Sequence, residues 1–403
     1  MKCRSCGMPN LKPILSLGNM PLANGLLKLP DEPEEKYPLD LAFCPDCTLV
    51  QLTGNVDPDK MFKDYKYYSS GSQTMLNSAA DLVEKTIASE GLNKDSLVIE
   101  IASNDGYLLK NYVKAGIPVL GIDPCTKIAE VAENNGVPTR VQYFTKSLAE
   151  RLSLWSIHRM PADIIHANNI MAHLPDLNDV VEGISILLKP NGIAIIETPY
   201  IRDMIDNCEF DTIYHEHLCY YSLTALSRLF NRHGLSVVDV EHLDIHGGSL
   251  RITVSPNAER YNERVANMLM AESITLDDYG YYQYFGKRVE VVKDDLSDTL
   301  YGLKLNRKHI VGYAASAKGS VLMNYCGIGQ YLDYVVDNTP AKQGLYTPGT
   351  HLEICGPSKL LETQPDYALL LAWNFADEIM SKEQEYIKRG GKFIVPIPRV
   401  RIV

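Results

Sequence analysis

Between positions 211 and 217 the chain reads Asp211-Thr212-Ile213-Tyr214-His215-Glu216-His217, setting a phenol, two imidazoles and a carboxylate in four consecutive residues. Such groups donate and accept protons near neutral pH, histidine closest to it. Two other readings of the same letters stand beside acid–base work. His-x-His is also metal-ligand spacing, and Tyr-His-Glu-His would serve as a hydrogen-bonded polar patch. A second set of reactive side chains opens the chain. Cys3-Arg4-Ser5-Cys6 and Cys44-Pro45-Asp46-Cys47 are both Cys-x-x-Cys, each beside turn formers such as Gly7, Pro9, Pro45 and Asp46. Two such knuckles present four thiolates tetrahedrally, the ligand set of a closed structural zinc site with no position left for water. Roughly 37 residues separate the pairs, longer than the commonest zinc-ribbon spacing, so the segment between them needs extended structure of its own. That segment is too small and polar to bury a core unaided, and the metal is expected to supply much of its stability. Free thiols or a redox pair are the alternatives, but neither accounts for the motif occurring twice.

The elements that must position these groups are bounded by size and composition. At 403 residues the chain exceeds the length at which one core stops growing, so two or three domains are expected. A formal charge of -11 opposes broad binding to nucleic acid or to anionic membranes, and an anionic substrate would have to be held by a few local cations and helix N-termini. No apolar run is long enough to span a bilayer, and Met1-Lys2-Cys3-Arg4-Ser5-Cys6 lacks the apolar core of a signal peptide, which predicts a cytoplasmic protein. Disulfides are not expected there, and the cysteine count of nine is odd.

Ser96-Leu97-Val98-Ile99-Glu100-Ile101-Ala102-Ser103-Asn104-Asp105-Gly106 is an apolar strand, a small-residue loop and the opening of a helix, the first unit of a doubly wound sheet. About 23 residues beyond Glu100, the strand Val119–Asp123 ends in an acid. Further strands are expected at Ala162–Ala167 and Gly192–Thr198, giving a parallel sheet with its ligand at the carboxyl ends. The loop is not Gly-x-Gly-x-x-Gly, which disfavours close approach of a dinucleotide pyrophosphate. Acids ending the first two strands suit S-adenosylmethionine instead, with Glu100 near its methionyl end and Asp123 on its ribose. Each acid alone would also serve as a solvated strand end; His166 reads as an interior histidine, and His246 as a pocket or turn residue.

From 257 to 307 the pattern is helical, with apolar positions at Val265, Met268, Leu269, Val289, Val292, Leu296 and Leu300. A second strand-loop-helix follows at His309–Ser320, then strands at Leu332–Asp337, Tyr367–Leu371 and Lys392–Val395, a smaller Rossmann-like sheet without a dinucleotide fingerprint. Ser316 and Lys318 at a helix start could receive a pyrophosphate through backbone donors, the helix dipole and one cation, or Lys318 could be a solvated lysine.

Taken together, these segments resemble the S-adenosylmethionine-dependent C-methyltransferases that act on nucleotide-linked 4-keto-deoxy sugars. The resemblance runs nearly the whole length. It covers the paired Cys-x-x-Cys, Tyr67-Tyr68-Ser69-Ser70-Gly71-Ser72, Glu100–Gly106, His166–His173, Phe210–His217, His246-Gly247-Gly248-Ser249-Leu250-Arg251 and Tyr313–Gly319. It implies a methyl transfer to the sugar carbon beside the ketone, C3, with Tyr214, Glu216 and His217 as the catalytic cluster. It also implies His173 as a further active-site histidine and Tyr68 as a cap, Tyr67 being the other residue that aligns. Cofactor residues would be Glu100, Ala102, Asn104, Gly106, Asp123 and Asn168; Ala102 stands where many methyltransferases have glycine. The sugar nucleotide would be held by Ser316, Lys318, Asn338 and Lys342, and zinc by Cys3, Cys6, Cys44 and Cys47.

The expected fold is therefore α/β in three parts. These are a four-cysteine zinc-binding domain over 1–66, a class I methyltransferase Rossmann-like domain over 67–256, and a helical linker with a second Rossmann-like domain over 257–403. Its partners would be S-adenosylmethionine, structural zinc and a nucleotide-linked 4-keto-deoxy sugar, with no nucleic acid and no membrane, in a monomer. The chemistry suits the residues on its own terms. A carbon beside a ketone becomes nucleophilic only after losing a proton, so a base near neutral pKa and a donor for the oxyanion are both required. His217 is the expected base. Two competing functions are an NAD(P)-dependent sugar-nucleotide oxidoreductase, which lacks its glycine fingerprint here, and a non-catalytic zinc-ribbon interaction protein.

Overall fold

The computed structural model describes residues 1–62, 68–155, 161–245 and 247–403; Tyr67 and His246 lie outside the described residues. Three sheets organise the chain. The first has four antiparallel strands, Lys12–Pro21, Lys36–Phe43, Val50–Leu52 and Cys219–Tyr220. Its fourth strand belongs to the segment just after the Tyr-His-Glu-His cluster, so the sheet joins the amino-terminal module to the middle of the chain.

The central sheet runs, edge to edge, Ser236–Leu243, Ser249–Ser255, Leu188–Pro199, Ala162–Asn168, Val98–Ile101, Val119–Asp123 and Thr139–Val141. The last five are parallel, whereas Ser249–Ser255 is antiparallel to both neighbours. Val98, Ile99 and Ile101 are all buried, as a strand covered on both faces must be. After that strand the backbone turns sharply through three left-handed residues, Ala102 (φ 56°), Asn104 (φ 49°) and Gly106 (φ 76°). Glycine is required at the third, since a Cβ there would lie 2.9 Å from Val137 Cγ2.

The third sheet runs Ile354–Cys355, Val335–Val336, Ile310–Tyr313, Tyr367–Leu370, Lys392–Val395 and Arg401–Ile402, parallel except for its last strand. Its first loop and second-strand acid copy the central sheet. Asn104 N–H and Cys125 N–H donate to Asp123 at 3.0 and 2.9 Å, and Ala315 N–H and Thr339 N–H donate to Asp337 at 2.7 Å each. Ala314 (φ 76°) occupies the left-handed place of Ala102.

The helix Tyr279–Leu305 ties the three units together. Tyr282, Phe285, Val289, Val292, Leu296 and Leu300 form its buried stripe at helical spacing. Tyr282 stacks on Phe43 of the first sheet with ring centroids 4.5 Å apart, Arg288 donates to the Ile205 carbonyl at 3.0 Å, and Ser297 donates to the Cys326 carbonyl at 3.0 Å. Among the described residues no helix is long and apolar enough to cross a membrane.

Candidate active site

The four cysteines of the first module converge. Their sulfurs all lie within 4.8 Å of one another, with Cys3 to Cys47 and Cys6 to Cys44 at 3.5 Å. Tetrahedral ligands at a Zn–S length of about 2.3 Å sit about 3.8 Å apart, so the sulfurs fit the ion with little movement. Each knuckle closes through a left-handed residue just past its second cysteine, Gly7 (φ 76°) in one and Thr48 (φ 61°) in the other. The thiols cannot all ionise alone. Hydrogen bonding from Cys47 pulls Cys3 down to about 5, whereas that same contact pushes Cys47 up and burial pushes Cys44 up to about 11. A divalent cation removes that conflict.

At the carboxyl ends of the central strands, polar atoms are buried without partners among the described residues: Glu100 Oε2, Ser103 Oγ, Asp105 Oδ1 and Asn168 Oδ1. Buried polar groups are ordinarily paired, so a cluster of orphans marks where a polar ligand belongs. Burial first, then the charges of Asp123 and Asp105, hold the Glu100 carboxyl well above the usual range. Asp123 is also raised by burial, opposed by its two backbone donors. These atoms suit the ammonium and ribose hydroxyls of S-adenosylmethionine. Over this loop lies the short turn Ser69–Gly71, whose Ser69 and Ser70 N–H groups donate to Asn104 Oδ1 and Asp105 Oδ2. Tyr68, at the head of that turn, is exposed. His166 is fully buried, bonded through Nε2 to Tyr112 Oη at 2.8 Å, and burial pushes it down to about 3. It is an interior neutral histidine.

The Tyr-His-Glu-His cluster is fixed by carbonyls, which also fix its tautomers. His217 Nδ1 lies 2.9 Å from the Thr212 carbonyl, which can only accept, so Nδ1 carries the proton and Nε2 offers a lone pair to Tyr214 Oη at 2.9 Å. The Tyr214 and His217 rings lie 4.0 Å apart between centroids. His173, in the turn after the Ala162–Asn168 strand, donates from Nδ1 to the Glu216 carbonyl at 2.7 Å and sits 5.0 Å from the His217 ring. Burial lowers His173 and raises Glu216, whose Oε1 accepts from Asn24 Nδ2 at 2.7 Å. His215 turns away and donates to the Tyr37 carbonyl at 3.2 Å. With both His217 nitrogens engaged and His215 facing the first module, these two imidazoles do not form a ligand pair. Among the described residues the one group of side chains close enough to hold a metal is the four cysteines.

His217 lines a narrow cleft together with Ala172, Tyr200, Met204, Glu209 and Gly248. Tyr214 and His215 pack behind the loop against Met20, Ala23 and Ser320. The carboxy-terminal domain closes on this loop through two contacts. Lys318 Nζ meets Glu209 Oε2 at 3.3 Å while lying 5.3 Å from the centre of the Trp373 ring, and Trp373 Nε1 donates to Asp211 Oδ2 at 2.6 Å. Ser316 caps its helix, accepting from Gly319 N–H at 3.0 Å and donating to the Leu371 carbonyl at 2.9 Å. Lys342 lies apart from the cleft wall, donating to the Ala315 carbonyl at 2.8 Å and 3.6 Å from Asp337. Asn338 sits beside the Tyr313 phenol at that same strand end. The structure thus brings Lys318 to the His217 cleft, and leaves Asn338 and Lys342 at the strand ends of the third sheet.

Three family profiles cover the chain in order. Residues 3–62 match the "Putative zinc binding domain", 73–240 the "Methyltransferase domain" and 244–398 the "C-methyltransferase C-terminal domain". The C-methyltransferase NovU of Streptomyces niveus is 38% identical over 408 aligned positions, spanning 100% of this chain and 96% of that protein. The chain belongs to the C-methyltransferase family. It is an S-adenosylmethionine-dependent C-methyltransferase with a zinc-binding domain, in which Cys3, Cys6, Cys44 and Cys47 stand close enough to hold one ion. More distant O-methyltransferases match only part of the chain. The ubiquinone biosynthesis O-methyltransferase of Haemophilus ducreyi is 25% identical over 104 positions, 25% of this chain and 44% of that one. Magnesium protoporphyrin IX methyltransferase from Synechocystis, solved with bound S-adenosylmethionine, covers 49% of this chain and 89% of its own at 13% identity, with a TM-score of 0.35.

Several residues of this C-methyltransferase site escape a reading of the sequence. Asn24, Glu209 and Trp373 carry no local signature, because each acquires its role from a partner supplied by folding, and Thr212 acts only through its backbone carbonyl, which no side-chain pattern reports. The orphaned Ser103 Oγ and Asp105 Oδ1 lie inside the recognised loop, and the polar side chains that carry them were the available signal.

Proposed function

We propose that this C-methyltransferase removes the C3 proton of a nucleotide-linked 4-keto-6-deoxy sugar and methylates the carbon so exposed. The observation that carries this reading is the Tyr214–His217 pair, in which the Thr212 carbonyl holds the imidazole in one tautomer with its basic nitrogen on the phenol. As the C3–H bond breaks, its electron pair delocalises onto the ketone oxygen. The proton passes to Tyr214 Oη while the phenol gives its own to His217 Nε2, leaving an imidazolium bonded to the Thr212 carbonyl. Tyr68 is the candidate donor to the developing oxyanion; His173, whose Nδ1 proton is on the Glu216 carbonyl, could donate there only as the imidazolium. Glu216 would bind sugar hydroxyls or orient an imidazole. S-adenosylmethionine, when bound, supplies the electrophilic sulfonium methyl group. Glu100, Ala102, Asn104, Gly106, Asp123 and Asn168 would hold that cofactor, and Lys318 with Ser316, Asn338 and Lys342 would face the nucleotide.

The test is mass spectrometry of sugars incubated in D2O with the enzyme, a panel of nucleotide-linked 4-keto-6-deoxy sugars, and cofactor present or omitted. Methyl gain is expected with cofactor present and deuterium entry next to the ketone of the unmethylated sugar with cofactor omitted, along with loss of most turnover but retained cofactor binding in His217→Asn. Wild-type rates in that variant would remove His217 from the mechanism. Absence of methyl gain across the panel would make the substrate class wrong.

A further inference from the structure

The amino-terminal module does more than carry zinc. Its loop after the Lys12–Pro21 strand presents Asn24, and that amide reaches 192 positions along the chain to donate to Glu216 Oε1 at 2.7 Å. Anchors on both sides hold the amide in place. Gly25 N–H bonds the Leu22 carbonyl and Leu26 N–H the Asn24 carbonyl, closing a tight turn. Three residues beyond Asn24, Leu27 pairs with Tyr346 of the carboxy-terminal domain through two backbone hydrogen bonds of 2.9 and 2.8 Å. Further along the same excursion, Glu34 accepts from Gly349 N–H and meets His351 Nε2 at 3.0 Å.

Glu216 needs such a partner. It is buried, and among the described residues no lysine or arginine pairs with it. The titratable groups around it are Tyr214, His215 and His217 on its own loop and His173, which bonds its carbonyl rather than its carboxylate. The Tyr37 carbonyl, from the zinc module, faces His215. Burial raises Glu216 and the Asn24 hydrogen bond alone opposes it.

We infer that Asn24 is a positioning residue of the active site, holding the Glu216 carboxylate ionised and in one orientation beside His173 and His217. Loss of the donor leaves a buried carboxylate whose cheapest remedy is to take up a proton. This inference rests on the catalytic role proposed above for the Tyr214–His217 loop, but part of its test does not.

Asn24→Ala and the isosteric Asn24→Asp, which swaps the donor for an acceptor, are compared with the full-length wild type. Isotope-edited infrared titration of the carboxyl stretch, assigned by its loss in Glu216→Gln, reads the group directly and needs no substrate. The midpoint should rise in Asn24→Ala and rise further in Asn24→Asp, with one zinc per chain and cofactor affinity unchanged. With the keto-sugar panel, kcat should fall about tenfold at neutral pH with a smaller change in KM, and the acid limb of the pH–rate profile should move upward. Restoring a donor with Asn24→Gln should recover part of the rate. An unchanged Glu216 midpoint in Asn24→Ala overturns the inference. If the wild type methylates no sugar of the panel, the functional reading fails while the infrared midpoints still decide the role of Asn24.

Discussion

A buried carboxyl group can be a cost that a ligand removes, and Glu100 is placed to act that way. Fully buried and facing the charges of Asp105 and Asp123, it is held well above the ordinary range, which favours its protonated form in the ligand-free enzyme. An ammonium or ribose hydroxyl from the cofactor favours the ionised form. Cofactor binding should therefore release protons, and affinity should tighten as pH rises until it passes the folded pKa of Glu100, then level off. Calorimetry in two buffers of different ionisation enthalpy measures that release directly. Glu100→Gln should abolish it and weaken binding by about tenfold; equal proton release in the variant would assign the titration to another group. His166, one strand over, cannot substitute, since burial already keeps it neutral.

At the scale of elements, the turn after Val98–Ile101 shapes the cofactor loop, and Gly106 limits what that turn tolerates. Gly106→Ala adds a Cβ both at a positive φ and 2.9 Å from Val137 Cγ2, whereas Gly116→Ala meets only a positive φ, with nothing within 4 Å. Backbone strain of this kind costs about 1–3 kcal/mol. Thermal melts should show both variants destabilised, Gly106→Ala more so, and only Gly106→Ala should also lose cofactor affinity. The element itself is legible in the sequence, because Val98–Ile101 and Val119–Asp123 are apolar runs of strand length with an acid next to the end of the first and at the end of the second. The flanking pair Ser236–Leu243 and Ser249–Ser255 is not recognised without the sheet it completes, and neither is Cys219–Tyr220, since two residues carry no periodicity. The expected strand Leu332–Asp337 contracts to Val335–Val336 because those two alone pair with Gly312 and Tyr313. The candidate site divides in the same way. Tyr214, His217 and the paired cysteines are neighbours in sequence and stand out by type, whereas Asn24–Glu216, Asp211–Trp373 and Glu209–Lys318 join positions 192, 162 and 109 apart.

For the whole molecule, zinc is coupled to the active site through more than stability. Arg232 and Asn178 of the central domain bond the Ser5 and Arg4 carbonyls in the first knuckle, and Arg4 N–H bonds Gln51 Oε1 in the strand that pairs with Cys219–Tyr220. Cys44→Ser should therefore lower zinc content and melting temperature together. It should also lower turnover per folded molecule, because Asn24 and the Tyr37 carbonyl lose the module that places them. Zinc analysis, melting curves and rates corrected for the folded fraction separate the two effects; full stability in a zinc-free variant would refute the structural role of the metal.

The shared four-stranded sheet also decides where this chain can be recombined with a relative. A crossover placed between the amino-terminal module and the central domain would draw Val50–Leu52 from one parent and Cys219–Tyr220 from the other, asking unrelated residues to pair across a two-residue seam. Chimeras should survive only when both strands, with Asn24 and its Glu216, are inherited from the same parent.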